Sequence, residues 1–197
     1  IGMWGKSTTL SGVAPSFAGK TLRLNYYMDE IVGMQRTLDS CIVDPTGKFS
    51  FTVNIATPLQ VFIPSDTYNG FIFLESGKDY VVNLPPYAER TLAQKLDPYF
   101  KPTDVLLQIV GLKQGDFNYK LMEFEDAFDF YSMKHLVYSN SVDSILVSID
   151  QMKEIFNDFY ADRYLSRYME ERFLLLLNSS PKVYQDSIIA RINRLGV

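Results

Sequence analysis

Apolar and polar residues alternate with a period of two through much of the chain up to about Leu84. In the clearest case, Phe49, Phe51, Val53 and Ile55 are separated by single polar residues. Because successive side chains of a β-strand point to opposite faces, this alternation predicts a strand with one buried face. The same pattern recurs in three further segments, 22–25, 59–63 and 80–84.

Turn residues separate these predicted strands. Asp44-Pro45-Thr46-Gly47 joins two of them, and Ser76-Gly77-Lys78 predicts a hairpin. The run Phe71-Ile72-Phe73-Leu74 is apolar at successive positions, which predicts a central strand covered on both faces. About seven short strands in this arrangement are typical of a sandwich. We therefore predict an antiparallel β-sandwich over residues 1–84.

Prolines mark the end of this region. Pro85, Pro86, Pro98 and Pro102 are four of the nine prolines in the chain. Proline lacks the backbone donor that sheets and helices need, so it is excluded from their interiors. Residues 85–102 are accordingly predicted to be a linker, with room for a short helix at 89–96.

Beyond Pro102 the apolar residues recur every three or four positions, as they do on a helix. Thr103 is expected to cap a short helix that runs through Leu112. A longer helix should follow, with one stripe formed by Phe117, Leu121, Phe124, Phe128, Tyr131, His135 and Tyr138.

The stripe continues beyond Ser141, which can cap the next helix, in Ile145, Ile149, Met152, Phe156 and Phe159. One helix over 142–177 would be about 54 Å long at 1.5 Å per residue, so we predict a break near 161–163. Ser180-Pro181 should begin a last helix. The predicted fold class is thus α+β: the sandwich, followed by an α-helical hairpin or bundle at 103–197.

Composition excludes several kinds of chemistry. The 197 residues carry a formal net charge of −4, which gives no basic surface for nucleic acid. One cysteine and one histidine cannot form an internal disulfide, a CxxC pair or a cysteine–histidine zinc cage. The longest apolar run, Phe173–Leu177, is far shorter than the ~20 residues that a membrane span needs.

The remaining candidate residues favour structural roles. His135 could act as a general base or a metal ligand, but a second histidine and the Glu-x-x-His pattern of di-iron helices are both missing. Cys41 has no partner thiol and is expected to pack as a small apolar residue. The sequence therefore predicts no catalytic, cofactor-binding or metal-binding residue.

Charged clusters on the predicted helices have two interpretations. Paired carboxylates can hydrolyse glycosides or bind a hard cation, yet calcium-loop spacing is missing and a solvated helix face is favoured. Glu170-Glu171-Arg172 is expected to form ordinary surface pairs. The carboxylates concerned are Glu123, Glu125, Asp126 and Asp129.

A tyrosine series provides the predicted interaction surface: Tyr160, Tyr164 and Tyr168. Aromatic platforms bind sugars and peptides, and Tyr26, Tyr27 and Tyr68 on the sandwich could add to one. Packing between the two domains would explain the same residues, and it is the favoured interpretation.

Several of the quoted segments resemble a known domain. Residues 38–44, 47–51 and 71–80, followed by 97–104, resemble the N-terminal β-sandwich and helical region of cell-envelope lipoproteins from gut-type Gram-negative bacteria. Many such lipoproteins carry a thioredoxin-like domain further on. The turn at Ser76-Gly77-Lys78-Asp79 departs from the usual Pro-Gly-Asp of that family.

The resemblance implies a periplasmic or outer-membrane-anchored protein, with a lipid anchor upstream and a redox domain downstream. We therefore expect a non-catalytic accessory or interaction module, whose partner is another protein or its own downstream domain. Two alternatives stay open. One is a glycan- or peptide-binding module that uses aromatic residues between the domains, and the other is an enzyme that uses His135 with a carboxylate.

Overall fold

The computed structural model describes residues 5–29, 33–138 and 142–178. The chain divides into two compact units, residues 1–112 and 113–197. Within the described residues, the first unit contains two mixed β-sheets and the second unit contains the long helices. The chain therefore belongs to the α+β class, as the two hydrophobic periods predict.

The described strands and helices have the following bounds. The strands are β1 Lys6–Val13, β2 Thr21–Asp29, β3 Met34–Ile42, β4 Lys48–Ile55, β5 Leu59–Pro64, β6 Tyr68–Leu74, β7 Asp79–Asn83, β8 Thr103–Leu106 and β9 Gln108–Ile109. The helices are α1 Leu92–Leu96, α2 Phe117–Tyr138, α3 Val142–Ile155 and α4 Arg163–Asn178.

Both sheets mix parallel and antiparallel pairs. The four-stranded sheet has the order β4-β1-β7-β9, and the five-stranded sheet has the order β3-β2-β5-β6-β8. β1 pairs with β7 in parallel, as β6 does with β8, while the other pairs are antiparallel. The prediction of a purely antiparallel arrangement is therefore wrong.

The turn at 76–78 does not form a hairpin, because β6 and β7 lie in different sheets. The Thr8 hydroxyl of β1 holds this turn in place. It accepts a hydrogen bond from the Gly77 N–H at 2.9 Å and donates one to the Glu75 carbonyl at 2.9 Å. The turn is thereby attached to the four-stranded sheet at the point where the chain enters it.

One hydrophobic core takes side chains from both sheets. The alternation predicted for β4 is confirmed, since its apolar residues are buried and its polar residues are exposed. The run at 71–74 also lies inside a sheet, with β5 and β8 on either side of β6. Core residues on the four-stranded sheet include Leu10, Phe51 and Val82, and those on the five-stranded sheet include Leu24, Val61 and Ile72.

The helix expected from Thr103 through Leu112 is not formed. Instead, β8 adds to the edge of β6 and β9 adds to the edge of β7, so this segment belongs to both sheets. Leu107 lies between the two strands, is 3% exposed, and donates its N–H to the Phe71 carbonyl at 2.9 Å. Pairing with existing strand edges thus replaces the local hydrogen bonds of a helix.

The boundary between the units accordingly follows Leu112, ten residues later than the predicted start of the helical region at 103. The predicted linker at 85–102 lies within the first unit and contains α1. Thr91 and Gln94 form a reciprocal capping box at the start of this helix. The Tyr68 hydroxyl also donates to the Pro85 carbonyl at 2.7 Å, which attaches the proline segment to β6.

The second unit is built around Phe124 of α2, which is fully buried. Its ring contacts five other aromatic rings from α2, α4 and the turn between α3 and α4, with centroids 5.3–6.1 Å apart. The predicted stripe on α2 is confirmed from Phe117 to Phe128, whereas the side chains of His135 and Tyr138 lie outside the described part.

The predicted break in the third helix is confirmed. α3 ends at Ile155, a 3-10 turn covers Asn157–Ala161, and α4 begins at Arg163. The Asp162 carboxylate accepts the N–H groups of Tyr164 and Leu165 at 2.8 and 3.0 Å, which caps the new helix. The helix predicted from Ser180 lies outside the described residues.

Leu107, where the chain passes from β8 to β9, is predicted to be energetically coupled to Gly70. A methyl group added at Gly70 would lie 2.6 Å from Leu107 Cδ2. We expect Gly70→Ala to cost about 1–3 kcal/mol by overpacking and Leu107→Ala about 2–5 kcal/mol by leaving a cavity. The double variant should lose at least about 0.5 kcal/mol less stability than the sum of the two single losses, because alanine at position 107 leaves room for the methyl group at position 70.

Urea unfolding of the four proteins measures this coupling. As a control, Gly70→Ala is combined with Val53→Ala, a core change on β4 of the other sheet; here the losses should add. Additive losses for the 70/107 pair as well would show that the two residues do not meet in this way.

Candidate functional site

The predicted tyrosine series is engaged in contacts within the helical unit. Tyr164 and Tyr168 lie on α4 with their rings stacked, centroids 6.5 Å apart, while Tyr160 lies in the preceding 3-10 turn. The Tyr160 hydroxyl donates to Glu170 Oε1 at 3.1 Å, and the Tyr168 hydroxyl donates to Glu125 Oε1 at 2.9 Å. Carboxylates of the same chain thus accept two of the three hydroxyls, and an interaction role stays a prediction.

Glu125 and Arg172 connect α2 to α4. Arg172 Nη2 donates to Glu125 Oε2 at 2.6 Å, and the guanidinium lies over the Phe128 ring, 4.4 Å from its centroid. Both charged side chains are about three-quarters buried. Burial raises the pKa of Glu125, although Arg172 and the Tyr168 hydroxyl act in the opposite direction. Burial also raises the pKa of Tyr168, so its hydroxyl remains protonated and continues to donate.

Two expectations about charged residues are therefore corrected. Glu125 does not belong to a solvated face, because its side chain is about three-quarters buried beside Arg172, whereas Glu123, Asp126 and Asp129 are exposed as expected. Glu170 is 4% exposed and lies 3.3 Å from Lys153 Nζ, so it does not form a surface pair either. Of the predicted surface pairs, Glu171 does match the expectation, since it bonds Arg167 at 2.8 Å with both side chains exposed.

The other acidic residues of α2 do not form a metal site with described neighbours. Glu123 and Asp126 line a cleft of about 520 Å³, together with the ion-paired Lys120 and Asp158. In the described part of the chain, no group of three or more His, Cys, Asp and Glu side chains is arranged to hold a metal ion. The imidazole of His135 lies outside that part.

Cys41 lies on β3 and is partly buried against the core. Burial raises the pKa of its thiol, while the backbone N–H of Ser50 acts in the opposite direction. A raised pKa keeps the thiol protonated near neutral pH and therefore weakly nucleophilic. The structure therefore gives Cys41 a packing role beside the core.

An apolar groove, which the sequence analysis missed, lies beside this cysteine. It has a volume of about 500 Å³ and is lined by strand residues that include Val13, Cys41, Ile42, Lys48 and Val81. Val13, Ile42 and Val81 are 53%, 71% and 48% exposed. They come from β1, β3 and β7, which are distant in sequence, so no local pattern could have indicated the groove.

The comparisons with known proteins identify no relative. No family model matches the chain, and neither do curated proteins or solved structures. The resemblance to envelope lipoproteins therefore stays a prediction. Among the described helices, none is long and apolar enough to cross a membrane.

The Glu125–Arg172 pair generates a prediction about stability and pH. Arg172→Met keeps an apolar chain over Phe128 but leaves the Glu125 carboxylate without its cation. We expect a loss of about 1–3 kcal/mol at pH 8. The loss should be smaller at pH 5, because burial raises the folded-state pKa of Glu125 and protonation then removes the buried charge.

Urea unfolding at both pH values, followed by the circular dichroism of the helices, measures these losses. The matched control is Arg167→Met, which breaks the exposed pair with Glu171 and should cost less than about 1 kcal/mol at either pH. Adding Glu125→Gln to Arg172→Met should abolish the pH dependence. An Arg172→Met loss that is equal at pH 5 and pH 8 would contradict this account of Glu125.

Proposed function

We propose that this chain is a non-catalytic interaction module that binds a protein partner through the apolar groove. The observation that carries this proposal is the grouping of three exposed aliphatic side chains, Val13, Ile42 and Val81, along one shallow groove. Single exposed apolar residues are common, but a group around a groove is typical of a docking surface.

The chemistry of the groove indicates the kind of partner. Lys48 is the one charged residue among the described residues that line it. Aliphatic walls favour an apolar side chain of the partner, and the lysine at the edge favours an acidic neighbour. The partner surface is therefore an apolar residue next to an aspartate or glutamate.

The tyrosine series is a weaker candidate for the same role. The hydroxyls of Tyr160 and Tyr168 donate to Glu170 and Glu125, and these contacts hold the helices together. A ligand that used those hydroxyls would have to break them. The aliphatic groove requires no such rearrangement.

The wider architecture and setting are part of the proposal. The two sheets form a β-sandwich, supported by the core to which both contribute. The helices form a bundle, supported by the rings gathered around Phe124. The module belongs to a periplasmic or envelope-anchored protein and precedes a redox domain, which is supported by the sequence resemblance alone.

The experiment places a photoreactive benzoylphenylalanine at Val81, on the groove, and separately at Asn54, an exposed residue of β4 outside the groove lining. In the native host, crosslinking should yield a specific adduct from position 81 but not from position 54. The captured protein is then purified, and its affinity for this chain is measured by calorimetry.

Two lysine variants test the captured partner. Ile42→Lys should weaken binding at least about tenfold, because an ammonium group would have to be desolvated inside an apolar contact. Asn54→Lys adds the same charge outside the groove and should change the affinity less than about twofold. Equal crosslinking from both positions, or an unchanged affinity for Ile42→Lys, would overturn the proposed function.

A further inference from the structure

Val110 extends the exposed apolar surface of the groove beyond the residues that line it. It follows β9 directly, and its N–H donates to the Val81 carbonyl of β7 at 2.8 Å. Continuing the antiparallel β7–β9 register by one residue places Val110 opposite Val81. Opposite residues of such a pair point to the same face, and Val110 is 55% exposed.

Val13 of β1 continues this surface on the other side of Val81. The parallel register sets Ser11 level with Val81, so Val13 lies two residues further along the neighbouring strand. With strands about 4.8 Å apart and a rise of about 3.3 Å per residue, the row from Val13 through Val81 to Val110 spans about 12 Å. We call these three residues the valine row.

Polar side chains border the valine row on both sides. On one side, Asn83 of β7 donates its side-chain amide to Gln108 Oε1 of β9 at 3.2 Å. On the other side, the Thr9 hydroxyl of β1 donates to the Asp79 carboxylate of β7. The apolar surface on these strands is therefore about one side chain wide.

The backbone beneath the row leaves no room for a partner strand. β1 lies between β4 and β7, and β7 lies between β1 and β9. Strand addition needs an open sheet edge, which Val13 and Val81 do not offer. An extended segment laid across the face would leave its own backbone groups unpaired against apolar side chains. A helix satisfies those groups internally and therefore suits this surface.

The dimensions of the row fit the apolar stripe of an amphipathic helix. Helical residues at i and i+7 are about 10.5 Å apart along the axis, and a residue at i+3 or i+4 lies between them on the same face. Lys48 of β4 pairs with Val13 and marks one end of the row with a positive charge. An acidic residue of the helix would complement it there.

We propose that the valine row binds an amphipathic helix of the partner protein. Its apolar residues at i, i+3 or i+4, and i+7 pack on Val13, Val81 and Val110, and an aspartate or glutamate lies beside Lys48. This inference rests on the proposed function and deepens it by naming the partner element and the strands that it crosses.

The first test uses the protein captured through benzoylphenylalanine at position 81. The crosslinked segment is mapped by mass spectrometry and made as a synthetic peptide, whose affinity for the full chain is measured by calorimetry. Val110→Lys should weaken binding at least about fivefold, because an ammonium group would be desolvated at an apolar contact. Gln108→Lys places the same charge on the polar border of the row and should change the affinity less than about twofold. Circular dichroism checks that both variants fold.

The second test distinguishes a helix from an extended segment. Proline at a central position of the peptide that does not contact the chain should weaken binding at least about fiftyfold, because proline disrupts a helix interior. Alanine at the same position should change the affinity less than about twofold. A peptide that tolerates the proline would overturn the proposed helix.

The remaining outcomes separate this inference from the proposed function. Unchanged affinity for Val110→Lys, together with weaker binding by Ile42→Lys, would overturn the valine row and leave binding at the groove in place. A failure to obtain any specific adduct from position 81 would overturn both proposals. An adduct between two copies of this chain would overturn the partner helix named here.

Discussion

The first unit depends on satisfying backbone hydrogen-bonding groups at the edges of two open sheets. At one side, the chain turns from β3 of the five-stranded sheet into β4 of the four-stranded sheet. Here the Asp39 carboxylate accepts a hydrogen bond from the Thr52 N–H. At another, β8 and β9 cover β6 and β7, with Leu107 buried between them. In both places the chain passes from one sheet to the other. The connecting segments therefore cover sheet edges and also enclose the core that the two sheets share.

In the second unit, many aromatic and charged side chains pack against or pair with one another. Phe124 gathers five rings, and the polar residues beside this cluster form internal pairs, Glu125 with Arg172 and Glu170 with Lys153. Charged groups at such depth must be paired, because an isolated buried charge is costly. Glu125 and Glu170, which belong to acidic clusters in the sequence, therefore have structural roles as ion-pair partners.

The functional proposal follows from this contrast between the units. In the described part of the helical unit, the hydroxyls of Tyr160 and Tyr168 donate to carboxylates of the same chain, whereas the apolar groove of the first unit has exposed aliphatic walls. Val81 differs from the buried valines of the core in its exposed position on β7, and not in its residue type.

Local periodicity was sufficient for β4 and for α2, because each depends on which face of a single element is buried. The break before α4 followed instead from the length that one helix over 142–177 would need. Periodicity failed at 103–109, where a threonine after a proline resembles a helix cap but the backbone bonds with β6 and β7 instead. It could not predict the groove either, since the groove is lined by strands far apart in sequence. The sequence by itself determined the type of most segments, with 103–109 as the exception, and the cysteine and histidine chemistry that composition excludes. Only the tertiary structure decided sheet partners, ion pairs and exposed surfaces, because those depend on contacts between distant residues.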